Sequence, residues 1–201
     1  MQIVSVGEIF SASGLAGAAG LNAGVPLLTL GLLWRFNNLA LNPSFEFLGS
    51  TPMLIFVGVF CLIDVVVDKL PRIDHVWHIC GMFVYPFAGA LCFASQPDIG
   101  QRLSGPIALM LGALLAGSIH LARAVLRPKE HARQVLARSP ALSAIEDVVA
   151  GALTALALTI PIGALCLLAA TIFVQLELIV RARRAFIADS IPPDSMPPRQ
   201  I

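Results

Sequence analysis

The chain has 201 residues, of which 57% are hydrophobic and 12% are charged, and its formal net charge is +1. A soluble domain usually carries about 25% charged residues, so this composition excludes an ordinary soluble protein. It predicts an all-α, polytopic integral membrane helix bundle, whose first partner is the lipid bilayer. The near-neutral charge, without a basic run interleaved with aromatic residues, excludes nucleic acid as a partner.

The N-terminal segment, MQIVSVGEIFSASG, contains no Lys or Arg and carries Glu8 where a secretory signal peptide has its positive region. We therefore predict that this segment is not a cleavable signal. The four cysteines lie inside apolar segments without CxxC spacing, which indicates neither a disulfide framework nor a zinc site. His75 and His78 alone are too few to indicate a divalent metal. We expect no metal and no cofactor.

Six segments are long and apolar enough to be transmembrane helices, because a hydrocarbon core about 30 Å thick requires roughly 20 mostly apolar residues. They form a predicted transmembrane domain over residues 1–185. The proline-rich segment 186–201 is predicted to be a disordered cytoplasmic tail. The predicted spans are 9–34, 51–68, 75–95, 104–126, 141–160 and 161–182.

The first span contains the sequence GLNAGVP, residues 20–26. Asn22, followed by Gly24 and Pro26, is compatible with a helix broken near the middle of the membrane, as in transporters with discontinuous helices. A simple proline kink is the commoner outcome of such a sequence.

Small residues recur at every fourth position in the first and fourth spans. Such rows let helix backbones approach closely and are typical of helix interfaces in membranes. The row in the fourth span continues to His120, which predicts that this imidazole points into the bundle. The rows are Ala12, Ala16, Gly20 and Gly24, and Ala108, Gly112 and Ala116.

Helix-start signals support several boundaries. Thr51 is followed by Pro52, Ser104 precedes Pro106 in the same manner, and Asp74 is placed to cap the third span. Ser143-Ala-Ile-Glu146 fits a capping box, which predicts that the fifth helix begins near Ser143.

The positions of Lys and Arg orient the spans. With a cytoplasmic N-terminus, eleven of the thirteen positive residues face the cytoplasm, as the positive-inside rule requires, and only Arg35 and Arg102 lie outside. We therefore expect six crossings of a cytoplasmic membrane with both termini inside. The eleven are Lys69, Arg72, Arg123, Arg127, Lys129, Arg133, Arg138, Arg181, Arg183, Arg184 and Arg199.

Many of the ionisable side chains gather near the predicted cytoplasmic helix ends, above all in IDVVVDKLPRIDHVWH, residues 63–78. A charge at the bilayer centre costs about 3 kcal/mol or more, so Asp64 and Asp147 should face protein or water. Two interpretations stay open. These groups either anchor and orient helices, or line a cytoplasm-facing vestibule for a cation, a proton or a small polar solute. The candidate binding residues are Asn22, Asp64, Asp68, Asp74, His75, His78, His120, Glu146 and Asp147.

A weak internal repeat is also suggested. The segment from Pro86 to Cys92 in the third span is similar to the segment from Pro161 to Cys166 in the sixth. Two three-helix halves would have opposite topology, as in inverted-repeat transporters. A chance match between Ala/Leu-rich segments is the alternative.

The order of these motifs resembles a bacterial family of polytopic membrane proteins, domain of unknown function 4126. The matching segments run through most of the chain: 19–36, 64–78, 85–91, 111–127 and 143–151. The resemblance implies a bacterial cytoplasmic membrane and brings no known activity. It also implies that the family's motifs include Asp64, Asp68, Lys69, Pro71, Asp74, His75, His120, Glu146 and Asp147.

Three functions are compatible with these features. The first is a small permease or channel-like protein for a small polar or cationic solute, with the carboxylate and histidine cluster as its inner site. The second is a non-catalytic membrane subunit that packs on a partner, or on its own copies, through the small-residue faces. A lipid-processing enzyme is third, since GxSxG, GxxxxGK[ST] and HExxH are all absent from the sequence.

Overall fold

The computed structural model describes residues 6–67, 74–97, 99, 103–126 and 140–189. Within these ranges the chain is entirely helical, which confirms the predicted all-α class. The elements are α1 (Val6–Leu21), α2 (Gly24–Arg35), a 3₁₀ helix (Pro43–Gly49), α3 (Thr51–Val67), α4 (Asp74–Ala94), α5 (Gly105–Leu126), α6 (Pro140–Thr159) and α7 (Pro161–Asp189).

Fewer than six helices meet the length and hydropathy that a membrane span requires. In the described part of the chain, α5 and α7 qualify, and the 3₁₀ helix with α3 forms a third candidate that is bent by 65°. The predicted first span does not qualify because it is divided into two shorter apolar helices, α1 and α2. In α4, the segment whose side chains the structure describes, Cys80–Ala94, is apolar and shorter than a membrane span.

The central helix of the bundle is α1, which contacts α4, α5, α6 and α7. Its buried residues are mainly Ala and Gly, so neighbouring backbones lie against it. Gly14 packs against Ala157 and Ala164, and a Cβ added at Gly20 would lie 2.7 Å from the carbonyl oxygen of Ala116. The predicted small-residue face of this helix is therefore an interface within the chain.

The second row of small residues joins α5 to α4. Gly112 lies directly against Gly89, and a Cβ added at Gly112 would lie 2.6 Å from Phe93 Cβ. Ala108 and Ala116, on the same face of α5, are fully buried. This row is also an interface within the chain, as predicted.

Helix α1 runs from one end of the bundle into its interior. Near its start, Ser11 Oγ donates a hydrogen bond of 2.6 Å to the carbonyl oxygen of Ala157, close to the end of α6. At its end, the carbonyl oxygen of Leu21 accepts a hydrogen bond from Arg123, close to the end of α5. Since α5 and α6 are antiparallel, α1 begins beside the α6–α7 junction and ends at the opposite level.

Helix α2 runs back toward the end of the bundle at which α1 starts. Gly24 packs against Cys61 near the end of α3, whereas Arg35 Nη1 donates to Thr51 Oγ1 at its start, at 2.9 Å. The chain then reaches Asn42, whose backbone N donates to the carbonyl oxygen of Ser95 at 2.8 Å. Residues 6–35 therefore form a helical hairpin with its tip at residues 22–23. Of the two alternatives, the structure has the broken helix and not the simple proline kink, and the prediction of a single span over 9–34 is wrong.

Sequence explains the tip. Pro26 has no backbone N–H and its ring hinders a preceding helix, so it sits in the first turn of α2 rather than in a continuous helix. Gly24 lacks a side chain where the backbone meets Cys61.

Three further expectations are corrected. The capping box is wrong, because α6 begins at Pro140 and Glu146 binds Arg123 instead. The repeat is not supported, because Pro86 lies inside α4 whereas Pro161 begins α7.

The directions of α1 and α7 follow from their contacts. Gly14 and Gly17 pack against Ala164 and Leu168 in the same order, so α1 and α7 run in one direction. The start of α1 and the end of α7 thus lie at opposite ends of the bundle. The last correction concerns the boundary of the predicted tail, because α7 continues to Asp189, and residues 190–201 lie outside the described residues.

The close contact of α4 with α5 can be tested by the same substitution at two glycines. Gly112→Ala should lower the free energy of unfolding by about 1–3 kcal/mol, because the added methyl group forces the two backbones apart. Gly151→Ala is the matched control, because nothing lies within 4 Å of its added Cβ. It should be neutral or stabilising by up to about 1 kcal/mol. Unfolding in mild detergent measures both, and equal stabilities would contradict this packing.

Candidate functional site

The hairpin tip is held by the Asn22 side chain. Asn22 Oδ1 accepts hydrogen bonds from the backbone N of Gly24 and Val25, at 3.1 and 3.2 Å, and so satisfies the first turn of α2. Asn22 Nδ2 donates to Asp147 Oδ1 of α6 at 3.0 Å. One buried amide therefore caps a helix and ties the tip to a carboxylate.

Arg123 binds the other side of the tip. Its Nη1 donates to the carbonyl oxygen of Leu21, one of the groups that the end of α1 leaves without an intrahelical partner. Its Nε and Nη2 both donate to Glu146 Oε2, at 3.0 and 2.7 Å. The guanidinium carbon lies 5.7 Å from the centroid of the Tyr85 ring, within range of a cation–π contact. This cation sits where the helix dipole of α1 favours positive charge.

Tyr85 connects α3 with α5. Its hydroxyl donates to Asp64 Oδ1 at 2.7 Å, and its ring stacks on the His120 imidazole with a centroid separation of 4.0 Å and an interplanar angle of 17°. Gly81, one turn earlier in α4, leaves room for the imidazole, because a Cβ there would lie 2.7 Å from His120 Cε1. Asp64, Tyr85 and His120 are therefore in one continuous set of contacts.

Cys61 lies near both the Asn22–Asp147 pair and Asp64. Its Sγ lies 4.0 Å from Asn22 Oδ1. Both Asp64 and Asp147 are close enough to this thiol to act on it electrostatically. We call the resulting group the tip cluster. Its members are Asn22, Asp64, Tyr85, His120, Arg123, Glu146 and Asp147.

The cluster is buried although five elements contribute to it. Asn22 and His120 are 1% exposed, and Asp64 and Arg123 are 2% exposed. Glu146 and Asp147 are half-buried. Two hollows of about 390 and 420 Å³ open elsewhere, around Asn37 and along the apolar face of α3, and neither is lined by cluster residues. The described side chains therefore form a polar cluster that is largely buried inside an apolar bundle, with Glu146 and Asp147 at its partly exposed edge.

The structure brings together five of the nine predicted site residues: Asn22, Asp64, His120, Glu146 and Asp147. Asp68 lies outside the described residues. Asp74, His75 and His78 lie in the first two turns of α4, and their side chains are outside the described part. Among the described residues no group of three or more His, Cys, Asp or Glu side chains is arranged to hold a metal ion.

Sequence reasoning did not select Tyr85 and Arg123, although both join predicted members of the cluster. Arg123 was counted only as a positive residue of a cytoplasmic connection. Its spacing of three from His120 places both on one face of α5, and that signal would have found it. Tyr85 is the only tyrosine in the sequence, and it lies within an apolar helix.

The charge of the cluster indicates its chemistry. Its described members include three carboxylates, one guanidinium and one imidazole, so carboxylates outnumber the permanent cation by two. Buried ionisable groups inside a membrane bundle are costly, which makes this cluster the candidate functional site of the described chain.

Removal of one hydroxyl group tests the link between α3 and α4. Tyr85→Phe should lower the free energy of unfolding by about 1–3 kcal/mol, because buried Asp64 loses a donor while the stacked ring stays. The control is Ser118→Ala, whose exposed hydroxyl bonds within its own helix to Leu115 and whose loss should change stability by about 0.5 kcal/mol or less. A loss for Tyr85→Phe no larger than for the control would mean that this hydrogen bond does not stabilise the site.

Comparison with known proteins gives one match. Neither a curated protein nor a solved structure matches the chain. The model of the family described as Domain of unknown function (DUF4126) matches residues 9–181, which include all members of the tip cluster. The chain belongs to the DUF4126 family.

Proposed function

We propose that this protein is a small permease or channel-like protein that moves a small cationic or polar solute across a bacterial cytoplasmic membrane, with the tip cluster as its binding site. The observation that carries the proposal is the position of the hairpin tip. A helix is interrupted inside the bundle, at Asn22 and Ala23, where it meets buried carboxylates and an imidazole. Transporters use interrupted helices in this way, because free helix ends supply polar groups at membrane depth.

The charge balance supports a cationic solute or a proton. Asp64 and Asp147 flank the tip from α3 and α6, and the guanidinium of Arg123 is already bound by Glu146. An anion would approach a net negative site. A cation would be attracted to it, and the carbonyl groups at the end of α1 add to that attraction.

The hairpin changes the proposed topology. We infer that α3 to α7 cross the membrane five times and that the hairpin enters from the outer face and turns back at its tip. Eleven of the thirteen Lys and Arg residues still lie on the cytoplasmic side, in agreement with the positive-inside rule. The N-terminus then lies outside and the C-terminus inside, which replaces the expectation of two cytoplasmic termini.

One observation weakens the alternative of a non-catalytic membrane subunit. That alternative offered the small-residue faces of the first and fourth predicted spans to a partner. Both faces are covered by other helices of the chain, since Gly20 packs on Ala116 and Gly112 on Gly89. A partner would have to bind a different surface.

Flux measurements test the proposal. Purified protein in liposomes should carry protons, Na⁺, K⁺ or methylammonium, followed with ion-sensitive dyes and a radiolabelled amine. Asp64→Asn and Asp147→Asn should each abolish the flux, because each removes a carboxylate beside the tip, buried at Asp64 and half-buried at Asp147. Glu177→Gln is the matched control, since Glu177 is exposed and pairs with Arg181 on the surface of α7, and it should keep the flux. Wild-type flux in both aspartate variants, or no flux of any of these ions through the wild-type protein, would contradict the proposal.

A further inference from the structure

Arg123 contacts three separate elements with one side chain. The guanidinium binds the last carbonyl of α1 and the Glu146 carboxylate of α6, and it lies over the Tyr85 ring of α4. Since Arg123 belongs to α5, four helices meet at this group. It is the largest of the fully buried side chains in the described part of the protein.

We propose that Arg123 is a latch, a positioning residue that holds the hairpin tip closed over the tip cluster. The inference deepens the proposed function, on which it rests for the statement that the tip is the moving part. Its physical basis is independent of any solute. If the guanidinium leaves, the carbonyl oxygen of Leu21, a residue that is 2% exposed, loses its donor in a buried position.

The geometry explains why an arginine holds this position. A guanidinium presents several N–H donors in a fixed plane, so it can bind a carboxylate and a carbonyl in different directions at the same time. Here Nε and Nη2 bind Glu146 while Nη1 binds Leu21. A lysine has one ammonium group on a flexible chain and does not present that fork.

The tip has a second attachment through Asn22, whose Nδ2 donates one hydrogen bond to the Asp147 carboxylate at 3.0 Å. A hydrogen bond is roughly twice as strong when its donor or acceptor is ionised, so a bond to a carboxylate and a bond from a guanidinium are both charge-assisted. Arg123 differs in that two bonds to Glu146 fix its guanidinium while a third holds the end of α1. Loss of Arg123 therefore frees the end of α1, and the tip should open more often although Asn22 still binds Asp147.

Cys61 provides a reporter of that opening. The backbone of Gly24, just past the tip, lies against this thiol so closely that a Cβ there would be 2.9 Å from Cys61 Sγ. Movement of the tip away from α3 would uncover the sulfur on the side that faces the cluster. Cys92 is fully buried and lies about two turns beyond Tyr85, near the end of α4, so it reports loss of the whole fold.

The experiment compares two single-cysteine proteins, one that keeps Cys61 and one that keeps Cys92, with the remaining cysteines replaced by alanine. Each is labelled in liposomes by a charged methanethiosulfonate reagent present on both sides of the membrane. Arg123→Lys and Glu146→Gln should each raise the labelling rate of Cys61 about tenfold or more, which corresponds to about 1.4 kcal/mol of opening free energy. The rate of Cys92 should stay unchanged, and Glu177→Gln should change neither rate.

Each outcome of the labelling experiment either supports or contradicts the latch. Faster labelling of Cys61 alone supports the latch. Equal acceleration of Cys61 and Cys92 would mean that Arg123 stabilises the fold as a whole, which overturns it. Unchanged labelling of Cys61 in both variants overturns it as well. The readout requires no transport, so a protein without flux but with accelerated Cys61 labelling would retain the latch and lose the proposed function.

Discussion

The ends of two helices lie buried inside the bundle, and their backbone groups need hydrogen-bond partners from the chain. A helix leaves its last carbonyl and first N–H groups without intrahelical partners, and lipid offers none. Here the carbonyl oxygen of Leu21 is bound by Arg123, and the N–H groups of Gly24 and Val25 are bound by Asn22. These two side chains in turn require Glu146 and Asp147. The polar interior therefore follows from the interruption between α1 and α2.

The small residues of α1 allow this helix to extend through the bundle as far as the interruption. A helix made mostly of Ala and Gly can pass through the centre of the bundle, because its neighbours pack against backbone rather than against large side chains. Gly17 lies against Leu168 and Gly20 against Ala116. Faces without interlocking side chains also suit the small sliding movements by which packed helices shift. In the proposed function, the same helix thus delivers the tip to the cluster and permits its movement.

The sequence predicted local features better than their arrangement. The order Asn22, Gly24, Pro26 indicates an irregularity at this point, because each residue disfavours helix continuation for a local reason, but it leaves a break and a kink as alternatives. The reversal of direction was not predictable, since it depends on distant contacts such as Ser11 with Ala157 and Asn42 with Ser95. A hydropathy pattern does not distinguish an apolar helical hairpin from an apolar membrane span, because both are continuous apolar segments.

The candidate site shows the same division between local and distant information. Asp64 and Asp147 are predicted site residues because they are acids within apolar segments, and His120 because it lies on a small-residue face. The structure places all three in one cluster. Glu146 fitted a capping box by local spacing, but its distant partner Arg123 takes its carboxylate. Tyr85 carried no motif at all. Its role depends on Asp64 in another helix, which no local pattern contains.

The sidedness of three engineered cysteines tests the hairpin most directly. Gly7→Cys, Ser104→Cys and Arg184→Cys place thiols at exposed positions at the start of α1, just before α5 and toward the end of α7. In a cysteine-free background, an impermeant maleimide applied to whole cells and to inverted vesicles reports which side each thiol faces. The account predicts that Gly7→Cys and Ser104→Cys are labelled from the same side and Arg184→Cys from the other. Labelling of Gly7→Cys and Arg184→Cys from one side would contradict it, because the first apolar segment would then cross the membrane completely.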